Sequence, residues 1–133
     1  MRDNKLRTLW AQGKPASNGW LAVPNGFSAE VMGHQGWDTL TIDMQHGLID
    51  EGALLTMLQA LQSTPAMPVV RAPWLDPAPL MKILDAGAQA LICPMVNTRE
   101  DAQRLVAYTH YAPRGGRSFG PVRAGLVHGA DYA

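Results

Sequence analysis

Residues 39–71 read Thr-Leu-Thr-Ile-Asp-Met-Gln-His-Gly-Leu-Ile-Asp-Glu-Gly-Ala-Leu-Leu-Thr-Met-Leu-Gln-Ala-Leu-Gln-Ser-Thr-Pro-Ala-Met-Pro-Val-Val-Arg. The β-branched run Thr39–Ile42 predicts a strand. Asp50 stands where a helix needs a capping carboxylate, and Leu54, Leu55, Leu58 and Leu61 follow at helical spacing. Pro65 and Pro68 bracket the exit, and Met67–Arg71 is a second strand. A strand, a crossover helix and a strand define a parallel pair with a right-handed connection.

The same alternation extends in both directions. Upstream, Gly19–Val23 is a short apolar strand. Pro24-Asn25-Gly26 turns it into a helix carrying Phe27, Val31 and Met32. A leading helix capped by Asp3 carries Leu6, Leu9 and Trp10 on one face and ends at Gly13. Downstream, Asp76-Pro77 opens a helix with a buried stripe of Leu80, Ile83 and Leu84, and Gly87 stops it. Ala90–Pro94 reads as a buried fourth strand that holds Cys93 in a packing role. Thr98 and Asp101 form a capping box for a helix with Ala102, Leu105 and Val106 inside. A loop rich in Gly, Arg and Pro then covers 112–120, and a weakly helical tail runs from Val122 to Ala133. The fold class is α/β with a parallel sheet, in one domain over residues 1–133.

Composition narrows the function. The chain has 133 residues, 47% of them hydrophobic and 17% charged, with 11 basic and 11 acidic side chains. Zero net charge argues against a nucleic-acid or membrane-surface partner. A closed (β/α)8 barrel needs roughly 200 residues or more, so this length accommodates only part of one. The N-terminus carries no signal-like apolar stretch, and no run spans a membrane. Cys93 is the single cysteine. Together these features fit a reducing, cytoplasmic setting.

In parallel α/β folds, chemistry gathers at the carboxyl ends of the strands. There the sequence places Trp20, Asp43, His46 and Arg71. Each has a structural alternative. Trp20 can be plain core, Asp43 can bind turn amides, and His46 can be a satisfied loop residue. Arg71 requires an anion or a carboxylate partner if buried. Asp85 interrupts an apolar helical end, and its structural alternative is an exposed helix residue. The only lysines, Lys5, Lys14 and Lys82, lie away from strand ends, which disfavours Schiff-base chemistry. No phosphate-binding glycine motif is present. His34, His110 and His128 show no metal-ligand spacing.

Ile42-Asp43-Met44-Gln45-His46-Gly47, Pro68-Val69-Val70-Arg71, Leu84-Asp85-Ala86-Gly87-Ala88 and Cys93-Pro94-Met95-Val96, in this order, resemble the HpcH/HpaI aldolase family. Tyr111-Ala112-Pro113-Arg114-Gly115-Gly116-Arg117-Ser118 is similar to that family's Tyr-Pro-Pro-x-Gly-x-Arg-Gly loop. The resemblance implies a (β/α)8 TIM-barrel fold, here an N-terminal portion with a leading helix and about four βα units. It implies a metal-dependent, class II carbon–carbon lyase that cleaves 4-hydroxy-2-oxo acids to pyruvate and an aldehyde. The implied cofactor is a divalent ion, Mg2+, Mn2+ or Co2+, that stabilises the pyruvate enolate. His46 would move protons, with Asp85 as its carboxylate partner. Arg71 would bind pyruvyl oxygens, Trp20 would line the pocket, and Asp43 would stand near the metal's water shell. The family's metal-binding Glu and Asp lie on later strands, so no metal ligand is expected within this chain. The full-length parent would be a homo-oligomer acting on a small 2-oxo acid and an aldehyde. The remaining alternatives are a truncated non-catalytic chain, or an α/β module binding an anion through Arg71 and Arg117, in either case needing a partner for its open sheet edges.

Overall fold

The computed structural model describes residues 4–132. Helix α1 (Lys5–Ala11) leads into four strand–helix units: β1 (Asn18–Leu21), α2 (Gly26–Gly33), β2 (Thr39–Asp43), α3 (Glu51–Gln62), β3 (Met67–Arg71), α4 (Pro77–Asp85), β4 (Ala90–Ile92) and α5 (Arg99–Thr109). A final helix, α6, spans Val122–His128. The strands form one parallel sheet in the order β1-β2-β3-β4, which is also their order in the chain. This is the expected architecture, four βα units of a (β/α)8 barrel with a leading helix.

Local sequence explains most helix starts. Asp50 accepts a hydrogen bond from the Ala53 amide at 2.8 Å, and Asp76 accepts one from Ala78 at 3.0 Å with proline in the first turn. The Thr98–Asp101 capping box is present in both directions. Asn25 caps α2 through the Ser28 amide. The expected cap of α1, Asp3, lies outside the described residues, and Asn4 accepts the hydrogen bond from the Arg7 amide.

The register assigns each strand residue to one of two faces. Leu21, Leu40, Ile42 and Val70 point to the outer face and pack with Ala29, Met57, Leu58, Leu61, Leu80 and Ile83 from α2, α3 and α4. The inner face carries Asn18, Trp20, Thr41, Asp43, Val69, Arg71, Ala90 and Ile92. There Asn18 Oδ1 accepts hydrogen bonds from the hydroxyls of Thr39 at 2.8 Å and Thr41 at 3.0 Å, so the polar groups satisfy one another.

Three expectations are corrected. Strand β4 ends at Ile92 and is only partly buried, because it pairs on one side alone and Met95 takes a left-handed backbone (φ 57°) just beyond it. Cys93 accordingly lies in the turn after the strand. It still packs against the core, and burial pushes its thiol pKa up. Helix α1 buries none of its residues, and Trp10 is 63% exposed, so its apolar face is not the core face that its spacing suggests.

Leu40→Ala removes a fully buried outer-face side chain and is expected to cost about 2–5 kcal/mol. Leu48→Ala, at a rim position that is 85% exposed, is expected to change stability by less than about 0.5 kcal/mol. Urea unfolding followed by circular dichroism measures both.

Candidate active site at the strand ends

The carboxyl end of β2 organises the rim. Asp43 pairs in register with Arg71 at the end of β3, so their side chains leave neighbouring strands side by side. Asp43 is 3% exposed, and its carboxylate accepts five hydrogen bonds. Oδ1 receives Arg71 Nε at 2.8 Å and the amides of Gln45 at 3.0 Å and His46 at 3.2 Å. Oδ2 receives Arg71 Nη2 at 2.5 Å and the Trp20 indole Nε1 at 3.1 Å. The guanidinium also lies over the Trp20 ring, 4.9 Å from its centroid. The Arg71 guanidinium foremost, then the Trp20 indole and the His46 and Gln45 amides, hold the Asp43 carboxyl well below the usual carboxylate range against the opposing effect of burial.

Three expected residues therefore meet, and two of their structural alternatives are realised in the same cluster. Asp43 binds turn amides, and Arg71 has a carboxylate partner. Arg71 is not consumed by the pairing. Its side chain keeps 22% exposure, and Nη1 has no hydrogen-bond partner among the described residues. Trp20 is 46% exposed rather than core.

His46 is exposed and joins the cluster through its backbone amide. The turn that carries it depends on Gly47, where a Cβ would stand 2.3 Å from the Asp43 carbonyl oxygen and 3.1 Å from Ala22 Cα.

Asp85 is elsewhere. It closes α4 and accepts from Arg117 Nη2 at 2.5 Å. No bond joins it to His46 among the described residues, so the expected imidazole–carboxylate pair is not formed within this chain. The nearer link is a cleft of about 230 Å3 between α3 and α4, which Asp85 lines together with Met44. Arg117 takes Asp85 because it is buried and otherwise uncompensated. It also donates to the Tyr132 hydroxyl at 3.1 Å, and it lies over the rings of Tyr111 at 4.5 Å and Tyr132 at 5.4 Å. Arg117 is thus neutralised inside the fold, which removes it from an anion site shared with Arg71. The Tyr111–Arg117–Tyr132 clamp escaped sequence reasoning. Its signal was the 111–118 stretch, which holds both Tyr111 and Arg117 but does not show that they touch.

These residues do not fit a divalent ion. Among the described residues no three His, Cys, Asp or Glu side chains are grouped to hold a metal, and both Asp43 oxygens are already engaged. Among the described residues, no helix is long and apolar enough to cross a membrane.

Comparison with known proteins identifies the family. The family model for HpcH/HpaI aldolase/citrate lyase matches residues 17–128. The chain is 49% identical over 129 residues to a hydroxypyruvate/pyruvate aldolase of Rhizorhabdus wittichii, covering 97% of this chain and 51% of that protein. It is 40% identical over 121 residues to a 4-hydroxy-2-oxo-heptane-1,7-dioate aldolase of Salmonella dublin, covering 91% and 46%. Among solved structures, an HpcH/HpaI aldolase/citrate lyase family protein of Burkholderia cenocepacia superposes with a TM-score of 0.85 at 31% identity, covering 92% of this chain and 51% of that one. Macrophomate synthase superposes at 0.77 with 30% identity, covering 88% and 40%. The chain spans about half the length of the curated relatives it matches.

Asp43→Asn leaves a half-buried guanidinium without its counter-charge and is expected to cost about 2–3 kcal/mol. A depressed carboxylate stabilises the fold above its unfolded pKa, and that contribution is lost as pH falls through the folded value. Wild-type stability is therefore expected to decline below about pH 4, and the decline is expected to be shallower in Asp43→Asn. Urea titrations at stepped pH measure both.

Proposed function

The chain belongs to the HpcH/HpaI aldolase/citrate lyase family, and on that footing we propose that its strand-end cluster binds the 2-oxo acid of an aldol reaction. The observation that carries this reading is Arg71. Its guanidinium is fixed on one edge by Asp43 and on one face by Trp20, and Nη1 remains unpaired among the described residues. A cation held this way offers donors to an oxyanion without reorganising when charge develops there.

The reaction class follows from the names of the relatives, a hydroxypyruvate/pyruvate aldolase and a 4-hydroxy-2-oxo-heptane-1,7-dioate aldolase. In the cleavage direction the C4 hydroxyl of a 4-hydroxy-2-oxo acid loses its proton and the C3–C4 bond breaks. An aldehyde leaves, and the electron pair stays as an enolate conjugated to the C2 carbonyl. Protonation at C3 then gives pyruvate, or hydroxypyruvate when C3 carries a hydroxyl. Arg71 holds the 2-oxo acid oxygens and offsets the enolate charge. Trp20 supplies the flat wall beside them. His46, exposed at the rim with an ordinary imidazole's reach, carries the proton. Asp43 acts through Arg71 as a positioning residue. Asp85 anchors the 111–120 segment through Arg117. A class II enzyme of this kind uses Mg2+, Mn2+ or Co2+ as its cofactor, and the described residues contribute the 2-oxo acid side of the site rather than the ligands of the ion.

Titration of the labelled chain with pyruvate is expected to shift the Trp20 indole and Arg71 Nε resonances saturably. Arg71→Ala is expected to abolish the response, and Lys82→Ala, at an exposed ion pair on the helical side, is expected to leave it intact. No saturable shift in the wild type, or an unchanged Trp20 response in a folded Arg71→Ala variant, would remove the basis for this reading. Because no metal-ligand group stands among the described residues, the 133-residue chain is expected to release no pyruvate from 4-hydroxy-2-oxoheptane-1,7-dioate with any of the three ions. Metal-dependent turnover would overturn that expectation.

A further inference from the structure

On the reading that Arg71 holds the oxygens of a 2-oxo acid, we propose that Met95 determines which 2-oxo acid the site prefers, as the apolar wall against its third carbon. The backbone supplies the first observation. Met95 has φ 57°, and among the described residues it is the only non-glycine in the left-handed region. There the Cβ of an L residue crowds the following carbonyl oxygen. The other residues with positive φ are Gly13, Gly36, Gly87 and Gly129. Where only a turn is needed, the sequence thus places glycine. At position 95 it keeps a long side chain in spite of the conformational cost. Such strain persists where the surroundings over-determine it, and it gathers at ligand sites.

The surroundings do over-determine it. Asn97 Nδ2 donates to the Met95 carbonyl oxygen at 3.1 Å. The amides of Asn97 and Thr98 donate to Asp101 Oδ2 at 3.1 Å and 3.0 Å, and the Asp101 amide donates to Thr98 Oγ1 at 3.1 Å. The turn is thereby fastened to the start of α5. All of these bonds lie within residues 95–101, so this backbone is set locally.

The second observation is place. Ile92, the last residue of β4, pairs in register with Arg71, and its carbonyl oxygen accepts from the Ala72 amide at 2.9 Å. Met95 follows at the same carboxyl end, one strand over from the guanidinium. Its neighbour Cys93 packs on the hydrophobic core, and Met95 is not part of that core. The third observation is chemical. Arg71 takes the carboxylate and keto oxygens, which leaves C3 as the part that differs between acids, a methyl in pyruvate and a hydroxymethyl in hydroxypyruvate. An unbranched thioether side chain packs well against a methyl group and offers a hydroxyl only a weak acceptor. Met95 therefore favours pyruvate, because a hydroxyl placed against it loses its hydrogen bonds to water.

The test is a pair of titrations, with pyruvate and with hydroxypyruvate, on the 133-residue chain carrying methyl-labelled methionine. The Met95 methyl resonance, assigned by its loss in Met95→Leu, is expected to shift saturably with pyruvate over the range that shifts Arg71 Nε. Met95→Asn, a residue that tolerates the left-handed backbone, is expected to move the ratio of the two Kd values toward hydroxypyruvate by about tenfold. Met95→Leu keeps an apolar side chain on the same backbone and is expected to keep the wild-type ratio. In urea, Met95→Gly is expected to unfold at a midpoint no lower than that of the wild type, because relief of strain offsets the added freedom of the unfolded chain. A midpoint well below the wild type would make Met95 a packing residue and overturn the proposal. An unmoved Met95 methyl, or an unchanged ratio in Met95→Asn, would do the same while the Trp20 and Arg71 resonances still respond. Silence of Trp20 and Arg71 in the wild type removes the binding reading itself, and the preference with it.

Discussion

The carboxylate of Asp43 is the group on which the strand-end architecture depends. It is nearly inaccessible to water, and five donors from two neighbouring strands and a turn converge on it. That convergence sets the direction of the Arg71 fork, the tilt of the Trp20 indole and the path of the backbone through Gln45 and His46. A carboxylate so fully used is an internal strut, and the chemistry falls to the groups it holds. Burying a charge without partners is costly, so the cluster forms as a set.

The sheet divides its two faces between different tasks. Outer-face residues such as Leu40, Ile42 and Val70 are fully buried under helices and supply the hydrophobic stabilisation. The inner face alternates hydroxyls, an amide and aliphatic side chains, and becomes ionic only at the strand ends. The polarity change occurs within single strands. Val69 and Arg71 share a face two residues apart. A layer of Asn18, Thr41 and Val69 thus lies directly beneath the charged rim, with Thr41 under Asp43 and Val69 under Arg71.

Much of this was legible in the sequence because it is local. Caps at Asp50, Asp76 and Thr98 act within four residues, and strand ends are marked by the first polar residue after an apolar run. That Arg71 needs a compensating group followed from the cost of burying it. Its identity did not, because Asp43 is 28 residues away and becomes its neighbour only through sheet register. The Asp85–Arg117 pair spans 32 residues and depends on how the 112–120 loop folds back, which no local pattern shows. The α1 and β4 expectations failed for one shared reason. Periodicity reports which residues could be covered, and coverage itself is a property of the neighbours.

The strands are ordered in space as they are in the chain, and this has a consequence for synthesis. Each strand adds to the edge left by its predecessor, and no later segment has to insert between strands already paired. Pairing can therefore proceed strand by strand from the N-terminal end. Trp20, Asp43 and Arg71 belong to the first three strands, so every member of their network is present once residue 71 has emerged from the ribosome. The compensation of the Arg71 charge thus needs nothing from α4, β4 or the Arg117 clamp, all of which follow it in the chain.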